Sequence, residues 1–325
     1  MREAAFIQRN KARWERLEKA GEQLQGLSPD EASDHYVQVT DDLSYARTFY
    51  PRSNVHTYLN GLAGVMHRHI YRNKPQDRGR FVRFWAEEVP LAMAATRPML
   101  LLSFTVFVLA CIIGAVSAAH DDTFVRLILG DGYVDTTLEN ITNGTPMAIY
   151  GSDNESDMFL RITWNNIRVS LVAFAAGLLA FFGTGLVLVN NGIMLGSFQY
   201  FFHQQGVLLE SVLSIWVHGT LEISAIVIAG AAGFTMGRGF LFPGTLTRMQ
   251  SFTASARLGL KVVIGLVPVF IVAGFLESFV TRHAATMPNW ASASIIVLSL
   301  AAVILYFIIL PYHVERRSRA LAPSA

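Results

Sequence analysis

Residues 215–234 read IWVHGTLEISAIVIAGAAGF, an almost wholly apolar run that nevertheless carries His218 and Glu222. The two stand four residues apart, so a helix places them on one face, one turn from each other, with Gly219 between them. A carboxylate near the middle of an apolar helix costs roughly 2.5–3.5 kcal/mol on insertion scales. Such residues turn away from lipid, toward protein or water. The sequence around this run therefore has to supply both a membrane and partners for the two polar groups.

The composition supplies the membrane. The 325 residues are 52% hydrophobic and 15% charged, against about 25% charged in an ordinary soluble domain. The shortfall is uneven. Residues 1–97 resemble a soluble protein, whereas runs near 98–119, 167–189, 219–236, 262–281 and 291–310 are long enough to cross about 30 Å of hydrocarbon as helices. A sixth, 192–204 (GIMLGSFQYFFHQ), is apolar but short, and 207–217 is apolar apart from Glu210. Met1 is followed by a charged helix, so no cleaved signal peptide is expected. The single cysteine, Cys111, lies inside an apolar run and gives no disulfide framework.

Charge orients the spans. The 120–160 loop holds Asp121, Asp122, Asp131, Asp135, Glu139, Asp153, Glu155 and Asp157 against Arg126 alone. The 237–261 loop carries Arg238, Arg248, Arg257 and Lys261 with no acid, and the tail reads HVERRSR. The positive-inside rule then puts both termini and the 237–261 loop in the cytoplasm. An even number of crossings follows, so the short segment should cross as well, with 207–217 an outer-face helix or an extension of the fourth span; five crossings is the competing count. The fold class expected is all-α: a polytopic transmembrane bundle of about six crossings (98–312), an N-terminal cytoplasmic helical bundle (1–97) and a basic cytoplasmic tail (313–325). The acidic loop also holds N-x-S/T sequons at Asn140, Asn143 and Asn154, read as polar residues of a solvated loop.

In the N-terminal region Trp14, Leu17, Gly21 and Leu24 share a helical face, SPDE marks a helix start with Ser28 as N-cap, and Tyr36, Val39, Leu43, Ala46 and Tyr50 keep a helical period up to Pro51. A third helix from Ser53 turns Tyr58, Leu62, Val65 and Ile70 inward. Next comes HRHIYRNKPQDRGRFVRFW, in which Arg68, Arg72, Lys74, Arg78, Arg80 and Arg83 mix with Phe81, Phe84 and Trp85. Basic and aromatic residues together also suit nucleic acid. The position directly before a span points instead to anionic lipid headgroups, and no nucleic-acid partner is expected.

Six crossings fix the depth of the polar groups. Asn165 and Asn166 open the second span at its outer end, and Asn190 and Asn191 close it at the inner end. His218 and Glu222 fall in the first turns of the fourth, and Glu277 (GFLESF) lies near the outer end of the fifth. Asn165, Asn166, His218, Glu222 and Glu277 should therefore form one polar cluster near the outer face. Gly219 should let a neighbouring helix approach. Gly192 and Gly196, and Ala229, Gly233 and Gly237, give small-residue faces read as helix packing, with Gly230 also a packing position, rather than as a dimerisation motif.

The order NN, NNGIMLG, HGTLEISAIVIAGAAG and AGFLESFVT resembles the stage II sporulation protein M family of prokaryotic integral membrane proteins, over about 98–312. DLSYARTFYP and YLNGLAGVMHRHIY are similar to the cytoplasmic extension of many of its members. The resemblance implies a multi-pass protein of the prokaryotic inner membrane working with cell-envelope partners. These would be peptidoglycan-remodelling proteins, as for the namesake, or the MoxR-type AAA ATPases and von Willebrand A-like proteins encoded near extended members. Carried over by motif, its positions are Asn166, Asn191, Gly192, Gly196, His218, Gly219, Glu222, Gly233 and Glu277.

Four readings compete for the cluster. A hydrogen-bonded staple between spans is the leading one. A proton or ion site comes next, then a metal site built on His218, Glu222 and Glu277. A serine hydrolase on Ser197 and His218 is weakest, because the two are expected at opposite ends of the bundle. The function expected is a non-enzymatic scaffold anchoring partners on both faces, without cofactor or resident metal, and with homo-oligomers possible. The alternatives are a small-solute or ion transporter and, third, an intramembrane metal-dependent hydrolase.

Overall fold

A computed structural model describes residues 3–22, 29–72, 79–147, 155–281 and 287–321, and every regular element among them is a helix. The chain divides into two compact units, 1–80 and 81–325. The division falls earlier than the expected boundary at 97, because the first membrane helix starts well before its apolar run and passes through Pro98 unbroken.

The first unit is built of α1 (Glu3–Glu22), α2 (Pro29–Phe49) and α3 (Asn54–Arg72). Pro29 opens α2, where its missing N–H costs nothing; Ser28 lies outside the described residues. The Ser53 hydroxyl accepts from the Val55 amide at 3.1 Å and starts α3. Apolar stripes from the three helices meet in one core of Phe6, Trp14, Leu17, Val39, Ala46, Leu59, Leu62 and Met66. On α3 the inward stripe is 59, 62, 63 and 66, which turns Val65 out to 38% exposure rather than inward. Trp14 Nε1 donates to Asp42 Oδ2 at 2.8 Å, and Arg13 pairs with the same carboxylate.

The second unit opens within α4 (Arg80–Arg83), which leads through a π turn (Phe84–Glu88) into α5 (Val89–His120). Then come α6 (Asp122–Leu129), α7 (Asp131–Thr142), α8 (Glu155–Ala175), α9 (Ala180–Gln204), α10 (Leu208–Leu241) and α11 (Arg248–Phe275), the last ending in a π turn (Leu276–Val280). α12 (Asn289–Ile304) runs through a further π turn (Leu305–Ile309) into α13 (Leu310–Leu321). Among the described residues, five helical runs are long and apolar enough to cross a membrane, and the second of them spans 47 residues, Met158–Gln204.

That second run is a hairpin. Thr184 Oγ1 donates to the Ala173 carbonyl at 2.9 Å, whereas eleven residues of straight helix would hold them about 16 Å apart. The reversal is made by the 3₁₀ turn Ala176–Leu179 and by Ala180, the one described non-glycine residue at positive φ, 56°. Counting α8 and α9 separately gives six crossings: α5, α8, α9, α10, α11 and α12. The expected boundary between the second and third spans, at Asn190 and Asn191, is thus displaced to 176–180. Asn190 and Asn191 lie within α9, not at an inner end. Apolar content alone could not locate the turn, because Ala, Gly and Leu fill it.

The end of the bundle that carries the acidic segment is organised rather than irregular. The Asp121 carboxylate accepts from the Thr123 amide at 2.9 Å and caps α6, and these bonds to Thr123 hold its carboxyl below the usual range. Arg126 binds Asp131 at 3.1 Å and Asp135 at 2.8 Å. Val125 and Val134 pack on Phe201 and Phe202 of α9. Of the sequons, Asn140 and Asn143 lie here, and Asn154 is outside the described residues. At the opposite end Lys261 pairs with Glu88 at 2.7 Å, Arg97 with Glu315 at 2.9 Å, and the Tyr306 hydroxyl donates to the Trp85 carbonyl at 2.7 Å. The start of the first crossing and the end of the last therefore share one end.

α10 is the central helix, with contacts to α5, α8, α9, α11 and α12. Close approach explains its glycines. A Cβ on Gly233 would land on Thr184 and the Ala173 carbonyl, one on Gly237 on the Ala180 backbone, and one on Gly230 on Ser103 and Leu188. Gly192 and Gly196 of α9 bring that helix onto the α5 backbone at Phe107 and Cys111. Gly219 differs from all of these. A Cβ there would meet only Ile215 of its own helix, at 3.8 Å, so it does not admit a neighbour.

Candidate functional site

α10 begins at Leu208, so the apolar 207–217 segment extends the fourth crossing. Glu222 then sits fourteen residues into a 34-residue helix, about 21 Å from its start. It is deeper than a span beginning at 219 would place it. α11 runs antiparallel to α10 and brings Glu277 alongside. A ring nitrogen of His218 and one carboxylate oxygen each from Glu222 and Glu277 all lie within 4.8 Å of one another. His218 Nε2 is 3.9 Å from Glu277 Oε2. The side chains of His218 and Glu277 are only 5% and 13% exposed.

Two neutral groups orient these three. On α8, Asn166 Nδ2 donates to Glu222 Oε1. At the end of α11, the Thr281 hydroxyl bonds His218 Nδ1 at 2.9 Å. α8 runs parallel to α10, as the pairs Asn166 with Glu222 and Gly177 with Gly233 show, so one register delivers Asn166 to the carboxylate and closes the packing below. Glu277 belongs to the π turn Leu276–Val280. π turns are rare and frequently found at functional sites, since one extra residue re-aims the side chains around it.

Of the five residues expected to cluster, the structure brings together Asn166, His218, Glu222 and Glu277. Asn165 is exposed on another face of α8, because neighbouring helix positions diverge by about 100°. Thr281 is an addition. It stands four residues after Glu277 in LESFVT, a same-face spacing the sequence displayed. Near the cluster in the chain, Ser214 and Ser278 have buried Oγ atoms without a hydrogen-bond partner. Ser214, His218 and Glu222 continue one face of α10 at four-residue steps. Ser197 lies on α9 toward the acidic end, not the opposite one. Its hydroxyl bonds the Ile193 and Gly114 carbonyls at 2.9 and 3.3 Å, while His218 is held by Thr281, so the two form no nucleophile–base pair.

A cavity of about 890 Å³ lies on a different side of α10, lined by Phe104, Phe107, Leu195, Trp216, Val303 and Phe307 among others. It is apolar and does not include the cluster. Of the lipid-surface residues, Arg80 and Arg83 are exposed at the start of the second unit. Lys74 and Arg78 lie outside the described residues, as do the side chains of Arg68 and Arg72.

A family model described as Stage II sporulation protein M matches residues 103–282, more than half of the chain and all of the cluster. The chain belongs to the stage II sporulation protein M family. A second model, a domain of unknown function (DUF8413), matches residues 4–72, the three helices of the first unit. No curated protein and no solved structure matches the chain. Within this stage II sporulation protein M family member, the matched region runs from Ser103, whose hydroxyl ties α5 to α10, to one residue past Thr281. The polar cluster and the glycine contacts thus fall inside the family region, and the first unit falls outside it.

Proposed function

We propose that this protein is a non-enzymatic membrane anchor that gathers cell-envelope partners, its first unit binding a cytoplasmic protein of the MoxR-type AAA ATPase class. The observation that carries the reading is the division of the chain. Residues 1–80 form a compact unit with its own aromatic core, joined to a family membrane unit. An attached folded unit of this kind suits a docking module, and its polar residues are spent on structure, as Arg13, Trp14 and Asp42 illustrate. The anchor sits in a prokaryotic inner membrane with both termini cytoplasmic, because the basic loop and tail share one end and the acidic segment the other. Outer-face partners, peptidoglycan-remodelling proteins among them, would meet the acidic end.

Two experiments test this. Single cysteines replacing Asp153, Arg248 and Ala320 in a Cys111→Ser background should react with an impermeant reagent from outside at 153 alone; labelling at 320 would overturn the orientation. The full chain in nanodiscs should bind the purified ATPase, and a chain lacking residues 1–72 should not. Equal binding by both would sink the docking role.

Solute or ion passage is the second reading, favoured by the buried ionisable groups on α10. Beyond Glu222 the same helix continues with Ala225, Ala229 and Ala232, all fully buried, which supports a closed site over a continuous path. Flux in proteoliposomes carrying the wild type, abolished by Glu222→Gln, would favour passage over anchoring.

A further inference from the structure

We propose that His218, Glu222 and Glu277 form a binding site for one divalent metal ion of the zinc, manganese or cobalt class, stapling α10 to α11 within the membrane. The donor set is one imidazole and two carboxylates, which such ions accept. Their ligating atoms lie within 4.8 Å of one another, the spread that donors at about 2.0–2.2 Å from a common centre reach after small rotamer changes. His218 Nε2 and Glu277 Oε2, at 3.9 Å, are too far apart for a hydrogen bond. They are about as far apart as two ligands on opposite sides of one ion.

The supporting groups fit the same reading. Metal-binding histidines are held through their other ring nitrogen, and ligating carboxylates are themselves hydrogen-bonded. Thr281 holds His218 at Nδ1, and Nε2 faces Glu277 Oε2. Asn166 holds one oxygen of Glu222, and the Glu222 and Glu277 carboxyls bond one another, so an ion would take the place of the proton between them. A pure hydrogen-bonded staple would account for those contacts. It does not account for Ser214 and Ser278, 4% and 0% exposed, whose hydroxyls have no partner. Ser278 is adjacent to Glu277, and Ser214 stands one turn from His218 on the face toward the Leu208 end of α10. A hydroxyl on the His218 face, as at Ser214, is of the kind that binds a water ligand completing an ion's coordination shell. The π turn Leu276–Val280 carries Glu277 at the place where it meets His218 of α10.

The inference goes beyond anchoring and stands or falls separately from it, since its test reads metal rather than partner. The full chain, purified in detergent without a polyhistidine tag, is stripped with chelator and titrated with Zn²⁺, Mn²⁺ and Co²⁺. One ion per chain is expected for at least one of them, with visible absorption for Co²⁺ and a rise in Tm on loading. Glu222→Gln and Glu277→Gln, which keep shape and hydrogen bonding, should lower affinity by more than about 100-fold, the upper end of the loss from a supporting residue. Failure of the wild type to bind any of the three ions would overturn the site, and so would unchanged affinity in both variants. Should the glutamine variants not fold, Thr281→Val decides, because it retains all three ligands: a loss of about 10–100-fold supports the site, and unchanged affinity overturns it.

Discussion

The two units are both helical, yet opposite kinds of side chain hold them together. In the first unit the contacts are large: Phe6 lies 5.5 Å from Trp14 and 5.0 Å from Tyr45 between ring centroids, with Leu59 and Met66 fully buried beside them. In the membrane unit the closest contacts are made by glycine, alanine and serine. The solvent explains the difference. In water, burying large apolar side chains drives assembly at roughly 25 cal/mol per Å². In lipid that drive is absent, so close packing and interhelical hydrogen bonds must hold the helices. The spans repeat the lesson. α10 has the least apolar window of the candidate spans and the most buried, at 61%, whereas the α12 run has the most apolar and only 11% buried.

This contrast can be broken in order of size. Trp14→Ala should cost the first unit about 3–5 kcal/mol, the usual range for deleting a buried aromatic. Hydrogen exchange on the full chain should show lost protection across residues 3–72 and unchanged protection across 208–241. Loss in both segments would mean that the units do not fold separately. In the membrane unit the matching insult is to add atoms. Gly196→Val would drive a Cβ into the Cys111 carbonyl, costing about 1–3 kcal/mol or more and lowering Tm in detergent. A wild-type Tm would refute the close α5–α9 packing.

Gly219→Ala sharpens the point, since its Cβ meets only an ordinary contact within its own helix. It should be neutral or gain up to about 1 kcal/mol, and a large loss would show a neighbouring helix that the structure lacks. Ser103→Ala removes the bond from Ser103 Oγ to the Val227 carbonyl at 2.7 Å and should cost about 0.6 kcal/mol. A double-mutant comparison with Gly230→Ala, which crowds the same hydroxyl, checks whether the two act at one contact.

The smallest effect concerns pH in the first unit. Tyr58 is partly buried and donates to Glu18 at 2.9 Å. Burial first, and the Glu18 carboxylate second, push its pKa up to about 12. A raised pKa favours the neutral phenol in the folded state. The associated stability is therefore complete below pH 10 and lost as the pH rises toward 12. The ultraviolet difference between wild type and Tyr58→Phe should titrate near 12, and a midpoint at 10 would show that the bond does not form.

The sequence alone determined the all-helical class, the multi-pass membrane unit and the helical periods of the first three helices. Each follows from local quantities: apolar length against bilayer thickness, the 3.6-residue period, and the sign of charge in the loops. It also paired His218 with Glu222, because a four-residue spacing is a helical face. Tertiary structure decided the rest. The turn at 176–180 was invisible because its residues are as apolar as the helices they join, and the 3₁₀ turn, Ala180 and the Thr184–Ala173 contact reveal it. Asn165 and Asn166 are equivalent as neighbours in sequence, and the parallel packing of α8 on α10 selects Asn166. Gly219 and Gly233 read alike in the chain, but a neighbouring backbone occupies the space beside only the second. Glu277 reaches the pair through a π turn whose extra residue no hydrophobic pattern encodes. Spacing along a chain determines what shares a helix face, and the packing of other helices determines what that face meets.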